Sequence, residues 1–188
     1  MSEDEKGPFI ETFTGKKFYI HNPEFDIRDI AHSLGQHCRF AGQAKQFYSV
    51  AEHSLLVLQL TTQLELGDPL EALMHDAHEA YLGDMVTPWK SLLPDYRALE
   101  RLVAVPLRAW AGLPADLSDG VKRADMLARC IEARLVMPSR GEDFVIADDI
   151  RQQAAEFKFG LAYFSPSFAK TQFWETYNHL VAAREAKS

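Results

Sequence analysis

Along most of this chain apolar residues recur three and four positions apart, the spacing of amphipathic helices. In "DIRDIAHSLGQHCRF" (26–40), Ile27, Ile30, Ala31 and Leu34 share one face, and Asp26 stands where an N-cap belongs. "VAEHSLLVLQLTTQLEL" (50–66) is strongly apolar and predicts a central helix, closed by Gly67. "DPLEALMHDAHEAYL" (68–82) opens with Asp68 at N-cap, Pro69 at N1 and Glu71 at N3, and Gly83 stops it. A fourth helix over 95–113 is expected to break near Pro106. A fifth, over 118–137, turns Ala124, Leu127, Ala128, Ile131 and Leu135 toward the core. Ser165 and Pro166 start a last helix that reaches 187. Segments 41–49, 83–94 and 139–143 read as loops, and 144–159 is mixed.

Only "FIETFTGKKFYI" (9–20) reads as strand. Two short aromatic and β-branched runs flank Thr14-Gly15-Lys16, a small hairpin. The expected fold is therefore all-α, a helical bundle with a small N-terminal β-hairpin. It forms a single domain over 8–185, preceded by a flexible charged tail at 1–7.

A length of 188 residues suits one domain with a real core. The formal net charge of −7 weighs against a protein that coats nucleic acid or an anionic membrane. Cys38 and Cys130 make no CxxC spacing and read as ordinary thiols of a reducing compartment. The start "MSEDEKGPF" lacks the apolar stretch of a signal peptide, and no apolar run reaches membrane-spanning length. A cytoplasmic protein is expected.

One stretch breaks the pattern. The apolar helix "ALMHDAHEAYL" carries His75, Asp76 and Glu79 in its middle, and buried charge is costly unless paired or bound to metal. His75 and Glu79 are four apart, on one helical face, with Asp76 about 100° around. His53, near the start of the preceding helix, and Asp125, in "KRADMLARC", could complete the set. Two imidazoles and two carboxylates suit Mn²⁺, Co²⁺, Fe²⁺, Zn²⁺ or, less well, Mg²⁺. Asp84 and Lys90 follow Gly83, and Arg39 lies upstream; the two cations, Lys90 and Arg39, could bind phosphate oxygens.

The ordered set His53, His75-Asp76, Asp125 resembles the H…HD…D signature of the HD-domain phosphohydrolases. "CRF", "SVAEHSLLV", "HDAHEAYLGDMVTPWK" and "KRAD" are similar, in order and spacing, to motifs of its 5′-deoxynucleotidases. "CRFAG", "FYSVAEHS" and "TGKKF" look closer to a phage branch that includes dATP triphosphohydrolases. The resemblance covers residues 9–130. It implies one divalent metal on His53, His75, Asp76 and Asp125, and water activated by that ion. It also implies Glu79 as general base, Asp84 as a second catalytic residue, and Arg39, Lys90 and Lys122 as phosphate ligands. Phe40 stands where many relatives carry Trp and would stack on a base; Trp89 is a weaker candidate.

The expected activity is metal-dependent hydrolysis of 2′-deoxynucleotides at the α-phosphate, most of all of dATP-type triphosphates. Extra cations at Lys45, Lys122 and Arg123 would favour the longer phosphate chain. A monophosphate 5′-deoxynucleotidase is the close alternative. A non-catalytic nucleotide-binding sensor and a two-metal phosphodiesterase are more distant ones. The resemblance further implies a homo-oligomer, dimer or hexamer, with no nucleic-acid or membrane partner.

Overall fold

The structure is a computed structural model and describes residues 7–158 and 160–187. It is mostly helical, with a two-stranded antiparallel hairpin at its start, as the patterning predicts. Strands β1 (Phe9–Glu11) and β2 (Lys17–Tyr19) pair with Phe9 opposite Tyr19. Nine α-helices follow among the described residues: α1 (Ile27–Gln36), α2 (Val50–Gln63), α3 (Pro69–Met74), α4 (Glu79–Leu82), α5 (Thr87–Leu92), α6 (Pro94–Trp110), α7 (Asp119–Val136), α8 (Asp148–Glu156) and α9 (Pro166–Glu185). Residues 1–6 of the expected tail, and Phe159 of the mixed segment, lie outside the described residues. No helix among the described residues is long and apolar enough to cross a membrane.

α2 runs through the centre and packs on α1, α3, α7 and α9. One apolar cluster joins α1, α3 and α9 through Ile30, Leu34, Leu73 and Phe173; a second joins α2, α7 and α8 through Val57, Leu60, Leu127 and Ile131. The caps form as read: Asp26 accepts from the Arg28 amide, Asp68 from Leu70, and Ser165 from Phe168. Glu71, however, does not reach back to cap α3. It is buried and accepts from the Ser118 amide at 2.9 Å, the Ser118 hydroxyl at 2.7 Å and the Arg108 guanidinium at 2.7 Å, tying α3 to α6 and α7.

Other expectations are corrected. The helix from Asp26 ends at Gln36, where the chain turns extended and Cys38 pairs with Ser49. α6 runs unbroken through Pro106. The donor that Pro106 lacks would serve Leu102, on the exposed side, while buried Val103 and Leu107 hold both halves to the core. The supposed loop 83–94 contains α5, and the mixed segment contains α8. Finally, 68–82 is not one helix. Between α3 and α4 the bonds run three residues back, Glu79 N to Asp76 O at 2.9 Å and Ala80 N to Ala77 O at 3.2 Å. In such a tightened turn residues three apart eclipse, so Glu79 stacks over Asp76 rather than over His75. Leu135 is only half-buried.

Candidate metal centre and cleft

Three packed helices bring the candidate ligands together. α2 supplies His53 in its first turn, the tightened turn after α3 supplies His75 and Asp76, and α7 supplies Asp125. His53 Nε2 lies 3.2 Å from His75 Nε2, 3.2 Å from Asp125 Oδ1 and 3.7 Å from Asp76 Oδ2. His75 Nε2 lies 3.1 Å from Asp76 Oδ2 and 3.9 Å from Asp125 Oδ1. Donor atoms bonded to one ion at about 2.1 Å, at angles of 90–110°, sit roughly 3.0–3.4 Å apart. His53, His75 and Asp125 are thus placed so that they could hold a metal ion, and Asp76 approaches the same two nitrogens.

The ring partners fix which nitrogens face the centre. His75 Nδ1 donates to the Ala72 carbonyl at 2.9 Å, and His53 Nδ1 to Glu132 Oε1 at 2.6 Å. Each ring therefore turns its Nε2 lone pair inward, by inference from these partners. Four acceptors then face one another, an arrangement that a cation between them would satisfy. A proton on His53 Nε2 is the smallest such cation. Burial and the Arg39 charge push the His53 imidazole down, but Glu132 and Asp125 outweigh them and hold it up to about 10. Burial pushes the Asp76 carboxyl up, yet the neighbouring His75 and His53 hold it well below the usual range.

Glu132 and Tyr48 escape the sequence reading. Glu132 is fully buried on α7 and receives His53 Nδ1, the Tyr48 hydroxyl at 3.0 Å and Arg39 Nη2 at 3.2 Å. A carboxylate behind a ligating histidine fixes its ring and raises its basicity. The available signal was spacing: Glu132 is seven residues, two helical turns, after Asp125 on an otherwise apolar face.

The centre opens into a cleft of about 660 Å³, inside the roughly 300–1,000 Å³ range of small-molecule sites. Asp76, Asp125, Glu79, Asp84, Arg39 and Lys90 form its polar floor. Glu79 is buried and its Oε2 has no hydrogen-bond partner. Burial, then the Asp76 and Asp84 charges, push its carboxyl well above the usual range despite Lys90. Gly83, at φ 82° and ψ 158°, adopts a conformation essentially closed to other residues, and Asp84 follows it into the cleft. Asp84 lies 3.9 Å from Arg39 Nη1, which is also 3.8 Å from Asp76.

Apolar side chains form the walls. Phe40 sits in a left-handed turn, with φ of 54°, 51° and 74° at Phe40, Ala41 and Gly42, a strained form for the first two. Its ring faces Phe144 at 6.2 Å. Arg151 binds the carbonyls of Gly141 at 3.2 Å and Phe144 at 2.5 Å, which holds that loop in place. Trp89 lines the cleft and is 58 % exposed. Lys122 does not line the cleft; it pairs with Asp119 at 3.0 Å on the exposed side of α7. The cation α7 turns into the cleft is Arg129, whose guanidinium also lies over the Phe144 ring at 5.8 Å.

No protein-family profile matches the chain. It is 40% identical over 180 residues to the uncharacterized protein YfdR of Escherichia coli strain K12, covering 94% of this chain and 98% of that protein. It is 39% identical over 132 residues to the uncharacterized protein RCAP_rcc00048 of Rhodobacter capsulatus, covering 65% of this chain and 67% of that one.

Proposed function

We propose a function for a chain that belongs to the family of Escherichia coli YfdR: an HD-domain, metal-dependent phosphohydrolase that cleaves 2′-deoxynucleotides at the α-phosphate. The observation that carries this reading is the meeting of four acceptors, two imidazole nitrogens and two carboxylate oxygens, at 3.1–3.9 Å. His53, His75, Asp76 and Asp125 would hold the ion, and their mixed N/O chemistry suits Mn²⁺, Co²⁺, Fe²⁺ or Zn²⁺ better than Mg²⁺. A divalent ion bound there would lower the pKa of water and neutralise charge on a phosphate.

The other residues have separable tasks. Glu79, lifted above the ordinary carboxylate range and bare at Oε2, can take a proton from the attacking water. Asp84 and Glu132 hold Arg39 charged and oriented at the cleft floor. Arg39, Lys90 and Arg129 are the cations that line the cleft and would meet phosphate oxygens. Phe40 and Phe144 offer π-faces for a base.

The cation set bears on the length of the phosphate chain. Lys122 is spent on Asp119, and Arg123 on Asp149 at 2.9 Å and Gln153. Lys45 does not line the cleft. The remaining cations suit a single phosphate better than a triphosphate, which favours a 5′-deoxynucleotidase over the dATP-type activity. His75→Ala tests the shared reading. It should lose bound Mn²⁺ and turnover while the helical circular dichroism persists; an unchanged rate would overturn it. Bound Mn²⁺ without turnover of any deoxynucleotide would identify a binding module instead.

A further inference from the structure

We propose that Lys90 serves as a tethered second cation: its ammonium occupies the position a second divalent ion would take among Glu79, Glu100 and His78. Ligand-type atoms of these three residues lie within 4.8 Å of one another, the second such group beside the centre already described. A cation is seated between the two carboxylates. Lys90 Nζ is 2.7 Å from Glu100 Oε1 and 3.4 Å from Glu79 Oε1, and His78 Nε2 is 3.6 Å from the same Glu100 oxygen.

Local structure explains the seat. Lys90 rises from α5, which packs on α6, and α6 carries Glu100. Glu100 and His78 stand behind the cleft wall, whereas Glu79 and Lys90 line the cleft itself. The Lys90 side chain is only 21% exposed, unlike a solvated surface lysine. Burial works against its charge, but Glu79 and Glu100 outweigh burial and keep it protonated.

The chemistry of an ammonium differs from that of a divalent ion in two useful ways. It brings one positive charge to two carboxylates, so it cannot be lost to a chelator or to a low metal supply. It also has three donors, of which Glu100 and Glu79 take two, leaving one for a phosphate oxygen in the cleft. The cleft would then work with one exchangeable ion. Glu100 is a positioning residue in this account, acting through Lys90.

The inference rests on the metal reading of the first centre only for its baseline, and counting bound Mn²⁺ separates the two. Full-length protein is equilibrated with Mn²⁺, freed of excess by gel filtration, and assayed by elemental analysis and calorimetric titration. The wild type and Lys90→Arg should hold one Mn²⁺ per chain. Lys90→Ala should hold two, and adding Glu100→Gln to it should return the count to one. A Lys90→Ala protein with unchanged circular dichroism that still holds one ion overturns the proposal, as does a wild type that holds two. None in the wild type with one in Lys90→Ala would refute the first centre and support this one. None in either refutes both.

Discussion

Replacing Glu132 by glutamine keeps its shape and removes its charge, at the point where two buried donors and the part-buried Arg39 meet. His53 Nδ1 at 2.6 Å and the Tyr48 hydroxyl at 3.0 Å share Oε1, and Arg39 Nη2 at 3.2 Å takes Oε2. A glutamine offers one acceptor and one amino group, so at least one donor faces another donor at a side chain closed to bulk solvent. Arg39 keeps only its longer contacts to Asp76 at 3.8 Å and Asp84 at 3.9 Å. Breaking a buried ion pair on one side costs about 3–5 kcal/mol, and the surviving contacts put the expected loss at the lower end. Loss of the carboxylate behind a ligating histidine weakens metal binding by roughly 10–100-fold, or about 1.4–2.7 kcal/mol. Urea unfolding followed by far-ultraviolet circular dichroism reads the first quantity, and calorimetric titration with Mn²⁺ the second. Glu132→Asp should recover part of the affinity and Glu132→Gln none. If Glu132→Gln changed stability by less than about 0.5 kcal/mol and left the Mn²⁺ affinity within twofold, the buried anchor would have no role.

Three helix starts and the hairpin were legible because their causes are local. Asp26, Asp68 and Ser165 cap helices that any context would leave short of donors, and Gly15 turns a two-strand ribbon. The residues that meet at the candidate centre were legible as types and order. What spacing could not convey was the tightened turn at 75–78, which arises where α3 meets α2 and α7 and sets Glu79 over Asp76. Glu71 looked like a local cap and is instead a long-range tie, because Arg108 and Ser118 reach it from other helices. Glu132 was invisible for the opposite reason. A glutamate in a helix reads as solvated until its buried partners, Tyr48, His53 and Arg39, are brought from elsewhere in the chain. Lys122 and Arg129 differ by two turns on α7, yet the loop carrying Phe144 encloses only Arg129.

Metal stabilisation should grow with pH. The His53 pKa is raised, up to about 10, so its proton stabilises the ion-free fold below the ordinary value of about 6.5 and that contribution fades as pH rises through 10. An ion must displace this proton, so the Tm gain from Mn²⁺ over EDTA should increase from pH 6 to pH 9; a flat or falling gain would contradict the assignment. Gly120→Ala would put a methyl 1.6 Å from the Leu66 carbonyl oxygen, and should cost on the order of 2–3 kcal/mol in chemical denaturation, whereas a neutral effect would refute the close approach of α7 to that turn. Arg129→Ala should raise KM for a deoxynucleotide several-fold with kcat nearly unchanged, since it lines the cleft one turn beyond Asp125 and would meet the substrate rather than the ion; a selective fall in kcat would place it in the chemistry instead.

In the proposed reaction, water attacks the α-phosphorus of a deoxynucleotide at the His53, His75, Asp76 and Asp125 centre. Turnover of dAMP and, separately, dATP by Mn²⁺-loaded protein in ¹⁸O-labelled water tests it most directly, with mass spectrometry of both products. The deoxyadenosine should be free of label, with label in the phosphate from dAMP or in an intact triphosphate from dATP. Label in a released γ-phosphate, label in the deoxyadenosine, or no turnover of either nucleotide would contradict it.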